Sequence, residues 1–92
     1  MRQSDLKLDG NAIGGLLREI FTVEMTPAEG TCRACGSVQT VGGMDVYVNG
    51  PGVVARCPRC GGVLMRIVRG HGHLWLDLSG TRVLELADPS TC

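Results

Sequence analysis

Apolar residues near the start of the chain recur at helical spacing: Ile13, Leu16, Leu17 and Ile20 stand at i, i+3, i+4 and i+7. That period puts them on one face and predicts a short helix over residues 10–21, or 9–22 with Asp9 as its cap. Gly14 and Gly15 fall inside it at about 1 kcal/mol each relative to alanine, so the helix needs packing to hold it. Pro27 and Gly30 end this region. Beyond it the period drops to two. Met44, Val46 and Val48 alternate with Asp45, Tyr47 and Asn49, and a turn at Asn49-Gly50-Pro51-Gly52 leads into Val53-Val54-Ala55-Arg56. Val63 to Val68 forms the next run, Gly70-His71-Gly72 reverses the chain, Leu74, Leu76 and Leu78 share a face, and Ser79-Gly80 turns into Val83 to Leu86. The pattern predicts an antiparallel meander, with residues 1–8 and 87–92 as tails around a single domain whose sheet occupies 30–86.

Composition changes this picture in one respect. With 92 residues and one Phe, one Trp and one Tyr, the chain has a core of Val, Leu, Ile and Met and little large aromatic surface to bury. A chain of this size gains from a staple. Four of its five cysteines provide one. Cys32-Arg33-Ala34-Cys35 and Cys57-Pro58-Arg59-Cys60 are two CxxC pairs, each followed by glycine: Gly36, and Gly61-Gly62. Two residues between sulfurs let one tight turn present both thiolates to one ion, and two such turns close a four-sulfur tetrahedron. Pro58 fixes φ just after Cys57, leaving the N–H groups of Arg59 and Cys60 to point at the first sulfur. A structural zinc site of this kind contributes about 10–16 kcal/mol to folding in small peptides, as much as an ordinary domain's whole stability.

Antiparallel strands carrying CxxCG and CPxCG turns resemble zinc ribbons over residues 30–68, and the same ligand pattern is that of rubredoxins, whose iron sits in a similar tetrahedron. Rubredoxin-like cores are rich in aromatics, whereas the segment from Cys32 to Cys60 holds only Tyr47; zinc is therefore the expected ion and iron the alternative. More closely, Leu8-Asp9-Gly10-Asn11-Ala12, Leu17-Arg18-Glu19-Ile20-Phe21, the CPxC segment, Val63-Leu64-Met65-Arg66 and Trp75-Leu76-Asp77-Leu78 resemble a family of small bacterial proteins of unknown function, over residues 8–86. That resemblance implies the four cysteines as metal ligands in one compact domain and supplies no activity.

Charge narrows the classes of partner. Nine basic and nine acidic side chains balance, which argues against a general polyanion binder. Residues 1–30, 31–82 and 83–92 carry −2, +4 and −2, and four thiolates with a divalent ion add −2 to the middle segment. Arg33 and Arg59 inside the turns, with Arg56, Arg66 and Arg69, are the candidate contacts to phosphate or to an acidic partner; their bland role is to offset the charge of the site. His71 and His73 flank Gly72 in a turn with no third ligand nearby and read as solvated. Trp75 reads as a cover for the back of a sheet, and as a binding hot spot if it proves exposed. Cys92 reads as a free thiol on a tail.

Four cysteines leave no open position for a catalytic water, and Asp45 and Asp77 stand on separate strands without a paired base, so no catalytic residue is assigned. The N-terminus lacks an apolar secretion signal and no stretch is long enough to span a membrane, which with CxxC pairs suits a reducing, cytoplasmic setting. The sequence thus predicts a non-enzymatic zinc ribbon with a short N-terminal helix and a C-terminal β-hairpin. It is expected to act as a protein-binding adaptor through the helix face of Ile13, Leu17 and Ile20 or around Trp75. Nucleic-acid binding and rubredoxin-like electron transfer are the alternatives.

Overall fold

The structure is a computed structural model in which residues 8–21, 23–50 and 52–86 are described. Expectations for the tails, Cys92 among them, and for Pro51 in the first hairpin turn lie outside those residues. The chain folds into antiparallel sheets with one short helix. Five strands form the larger sheet in the order β1-β4-β5-β6-β7, and three form the smaller in the order β3-β2-β8.

The meander is present where alternation predicts it. β4 (Asp45–Asn49) pairs with β5 (Gly52–Arg56), β5 with β6 (Val63–Gly70), and β6 with β7 (His73–Asp77). Outside this run, β1 (Leu8–Asp9) pairs with β4, Leu8 opposite Val46, so Leu8 belongs to the sheet and not to a tail. The predicted helix is divided. A 3-10 turn over Gly10–Ile13 precedes α1 (Gly14–Phe21), so the two glycines open the α-helix rather than interrupt it, where the helix loses less by having them. Asp9 has the extended backbone of a cap but makes no side-chain capping bond.

Two short strands escaped the periodicity: β2 (Glu29–Cys32) and β3 (Val38–Thr40), which flank the first CxxC turn. The final strand, β8 (Thr81–Glu85), leaves the meander and pairs with β2, Gly30 opposite Leu84 and Thr31 opposite Val83. A sequence run of alternating strands cannot show this, because β2 carries only one strongly apolar position, Cys32, and is completed by its neighbours.

One core serves both sheets and the helix. Leu17, Met44, Val46 and Leu64 are fully buried, and Ile13, Met25, Val41, Met65 and Ile67 nearly so, with Leu16, Ile20 and Phe21 packed against them. No aromatic side chain is among the buried residues described; three methionines fill the irregular space instead. Gly10 is where the 3-10 turn meets the segment Val41–Gly43: a Cβ there would fall 1.7 Å from the Val41 carbonyl oxygen. The helix face of Ile13 and Leu17 is therefore spent on the protein's own core, which corrects the expectation that it docks a partner.

Candidate metal centre

Each CxxC pair is the turn between strands of a different sheet, β2 to β3 for Cys32 and Cys35, β5 to β6 for Cys57 and Cys60. The two turns are built alike. In the first, Cys32 N–H donates to the Ser37 carbonyl at 2.9 Å and Gly36 N–H to the Cys32 carbonyl at 2.9 Å; in the second, Cys57 N–H donates to the Gly62 carbonyl and Gly61 N–H to the Cys57 carbonyl, both at 2.8 Å. Gly36 and Gly61 each have φ of 77°, a left-handed conformation that costs a residue with a Cβ about 1–2 kcal/mol. A register shift precedes each turn, between Thr31 and Cys32 and between Ala55 and Arg56. Such bulges re-aim side chains at the end of a ladder. Here the leading cysteines, Cys32 and Cys57, are buried, and Cys35 and Cys60 are exposed.

The four sulfurs converge, all lying within 4.8 Å of one another. Cys32 Sγ is 3.6 Å from Cys60 Sγ, and Cys35 Sγ is 3.7 Å from Cys57 Sγ, so sulfurs of one turn contact sulfurs of the other. Ligands at about 2.3 Å from a tetrahedral ion are separated by about 3.8 Å along each edge, and the cysteines, all free thiols, match that spacing. The donor set fits a metal ion that prefers thiolate sulfur in a closed tetrahedral shell.

Electrostatics at Cys35, Cys57 and Cys60 bear on that fit. Burial raises the Cys57 thiol, but hydrogen bonds from the Ser37 hydroxyl and from the N–H groups of Cys60 and Arg59 outweigh it and bring it from 9.0 down to about 6. Those two N–H groups are the donors expected from Pro58. Ser37, through its hydroxyl and its N–H, also holds the Cys35 thiol below its ordinary value. Cys60 goes the other way. Gly62 N–H lowers it, yet the neighbouring sulfurs and burial together push it up to about 11. Four thiolates this close repel one another, and a cation among them relieves that repulsion.

Ser37 is the residue that motif reading missed: its Oγ stands 3.1 Å from Cys35 Sγ and 3.4 Å from Cys57 Sγ, a polar contact to both turns. A hydroxyl two residues after the second cysteine was the only sign of it. The turn at Ser79-Gly80 between β7 and β8 stands where the sequence places it, but its contacts to the site were not legible there. Asp77 Oδ1 accepts from Ser79 N–H at 2.9 Å, which keeps the carboxyl below its usual range, with the Arg66 charge adding to the effect. The turn seats against both halves of the site: Gly80 O accepts from Arg33 N–H at 3.0 Å, and Thr81 Oγ1 donates to Leu64 O at 2.8 Å.

The arginines do not form one free patch. Arg33 Nε donates to Ser79 O and Arg56 NH1 to Gly61 O, both at 2.8 Å. Arg69 pairs with Glu19 at 3.0 Å. Arg66 and Arg69, three residues apart on β6, face opposite sides of the sheet. Arg59 lies beside a shallow groove over the two exposed sulfurs, lined also by Ser37, Val38 and Gln39. His71 and His73 are exposed at the β6–β7 turn, apart from the cysteines. Trp75 is 55% exposed, the condition under which the sequence reads it as a binding hot spot. Among the described residues no helix is long and apolar enough to cross a membrane.

Fold and site define a small, mainly antiparallel β protein with a four-cysteine cluster fit to bind a metal ion. The chain belongs to a family of unknown function (DUF6510), whose profile matches residues 2–89. No curated protein and no solved structure matches it.

Proposed function

We propose that this protein is a structural zinc ribbon that works by binding another protein and performs no catalysis. The observation that carries the reading is the placement of the four sulfurs: one ion would fasten the β2–β3 turn to the β5–β6 turn, and so one sheet to the other, while its shell is closed to a water or substrate. Zinc is the ion favoured, since a fastener needs no redox chemistry and, among the described residues, no aromatic side chain lines the groove over the exposed sulfurs. A reducing compartment such as the cytoplasm would keep the thiols available.

The outer face of β2-β3-β8 suits a partner. Val38 and Val83 stand on either side of Thr31 in one cross-strand row, 55% and 54% exposed, and Thr40, Glu29 and Glu85 form the next row. An apolar strip beside two carboxylates would fit a basic, partly apolar protein segment.

Metal analysis of protein purified from unsupplemented medium tests the first half: about one zinc per chain and a colourless solution are expected. Stoichiometric iron with a visible absorption band would move the reading to electron transfer. For the second half, a photo-crosslinking residue in place of Val83 should capture the same protein in independent preparations, and Val38→Asp should abolish that capture. Background labelling alone would sink the adaptor role while leaving the metal site standing.

A further inference from the structure

β7 is the outer strand of the larger sheet, and no strand among the described residues pairs with its free edge. All five of its residues, His73, Leu74, Trp75, Leu76 and Asp77, are exposed. Proteins ordinarily blunt such an edge with charge, proline or a bulge. This one carries three large apolar residues in a row.

The hairpin that leads into β7 fixes which of its backbone groups are free. His71 and Gly72 have φ of 51° and 74°, the two positive values of a type I′ turn, so Gly70 and His73 close a two-residue loop as a hydrogen-bonded pair. Pairs in an antiparallel ladder then alternate. Trp75 opposite Val68 and Asp77 opposite Arg66 point their N–H and C=O groups at β6, while Leu74 and Leu76 point theirs outward. Any added strand must bond to Leu74 and Leu76.

We propose that a second copy of the chain supplies that strand, the two β7 edges pairing antiparallel about a two-fold axis at Trp75. In this register Leu74 lies opposite Leu76 of the other copy, and both are outward-facing, so each pair exchanges its hydrogen bonds. Trp75 meets its own counterpart. His73 lies opposite Asp77 of the other copy at both ends, a donor against a carboxylate. Sliding the register by two residues in either direction loses this: one way sets Asp77 against the left-handed His71 of the turn, the other sets it against Trp75. The strand is thus complementary to itself in hydrogen bonding, apolar contact and charge together, as a two-fold interface requires. A five-residue edge is small beside a standard interface, and the dimer is accordingly a weak one. This surface is separate from the Val38–Val83 face, so each can fail without the other.

Sedimentation of the metal-loaded full chain tests the pairing. The apparent mass should climb from one chain towards two with concentration, and Trp75→Lys, at an exposed position, should stay at one by setting like charges on the axis. Register is read by crosslinking in a Cys92→Ser background. Facing residues of a non-bonded pair have Cα atoms about 4.5 Å apart, within disulfide reach, whereas diagonal neighbours stand about 7–8 Å apart. Trp75→Cys should therefore give a covalent dimer under oxidised glutathione and Leu74→Cys should not. A single-chain mass up to millimolar concentration, a dimer unaffected by Trp75→Lys, or faster crosslinking through Leu74→Cys would each overturn the proposal.

Discussion

Arg33 reaches from the first CxxC turn to Ser79, Nε donating to the carbonyl oxygen at 2.8 Å. The β7–β8 turn is thereby clamped to the site from one side, and Gly80 closes the other against Val63. Arg33 supports structure, whereas Arg59 has no such partner among the described residues. Arg33→Ala should lower the stability of the metal-loaded chain by about 1 kcal/mol, and Arg59→Ala should leave it unchanged. Urea denaturation of both variants, with the metal content measured alongside, makes the comparison.

Removing the ion should undo much of the fold. The ion would tie the β2–β3 turn to the β5–β6 turn, where otherwise only hydrogen bonds such as Thr81 Oγ1 to Leu64 O are seen between the sheets among the described residues, and the thiol repulsion that raises Cys60 returns when the ion leaves. Chelation at neutral pH, or Cys57→Ser, is expected to abolish protection of β2, β3, β5 and β6 amides from exchange. Native-like circular dichroism without metal would mean that the core is sufficient alone.

Gly80 should tolerate no side chain. A Cβ there would lie 1.7 Å from the Val63 carbonyl oxygen and 2.8 Å from its carbon, and backbone cannot step aside as a flexible side chain can. Gly80→Ala is expected to cost about 3 kcal/mol. Gly61→Ala has open space around it but a φ of 77°, so its cost should be smaller, about 1–2 kcal/mol. Thermal melts of the two variants would rank them.

Ser37→Ala deletes the hydroxyl beside Cys35 and Cys57 and should leave the fold intact. Residues that support metal ligands typically carry about 10–100-fold in affinity. A loss towards the lower end of that range is expected here, because the N–H groups of Arg59 and Cys60 still serve Cys57. Competition against a chromophoric chelator measures it.

Acid should release the metal. The native Cys57 value of about 6 lies below its ordinary 9.0, so in the metal-free fold this group adds stability above 9 that is lost as pH falls through about 6. Ligands must also be deprotonated to bind, so Cys60, pushed to about 11, releases its proton to solvent when the ion binds. Metal affinity is therefore expected to rise with pH across the neutral range and to collapse below about pH 6, with more than one proton taken up per ion released. A chelator titration repeated across pH follows it.

The sequence alone determined the parts whose physics is local. Both CxxC turns were legible from two-residue spacing and the glycines that follow, since one turn suffices to aim two sulfurs. The meander from Met44 to Asp77 was legible from alternation, and the apolar face of Ile13, Leu17 and Ile20 from helical spacing. What tertiary structure decided is where these parts go. β8 joins β2 instead of β7 because Gly80 fits against Val63 and Arg33 holds the turn, contacts between residues far apart in the chain that no local pattern encodes. The helix face belongs to the core, and Trp75 to the surface, because a period tells which residues share a face but not what that face meets. Ser37 gained its place beside the sulfurs in the same way: it stands twenty residues from Cys57 in sequence and 3.4 Å from it in space.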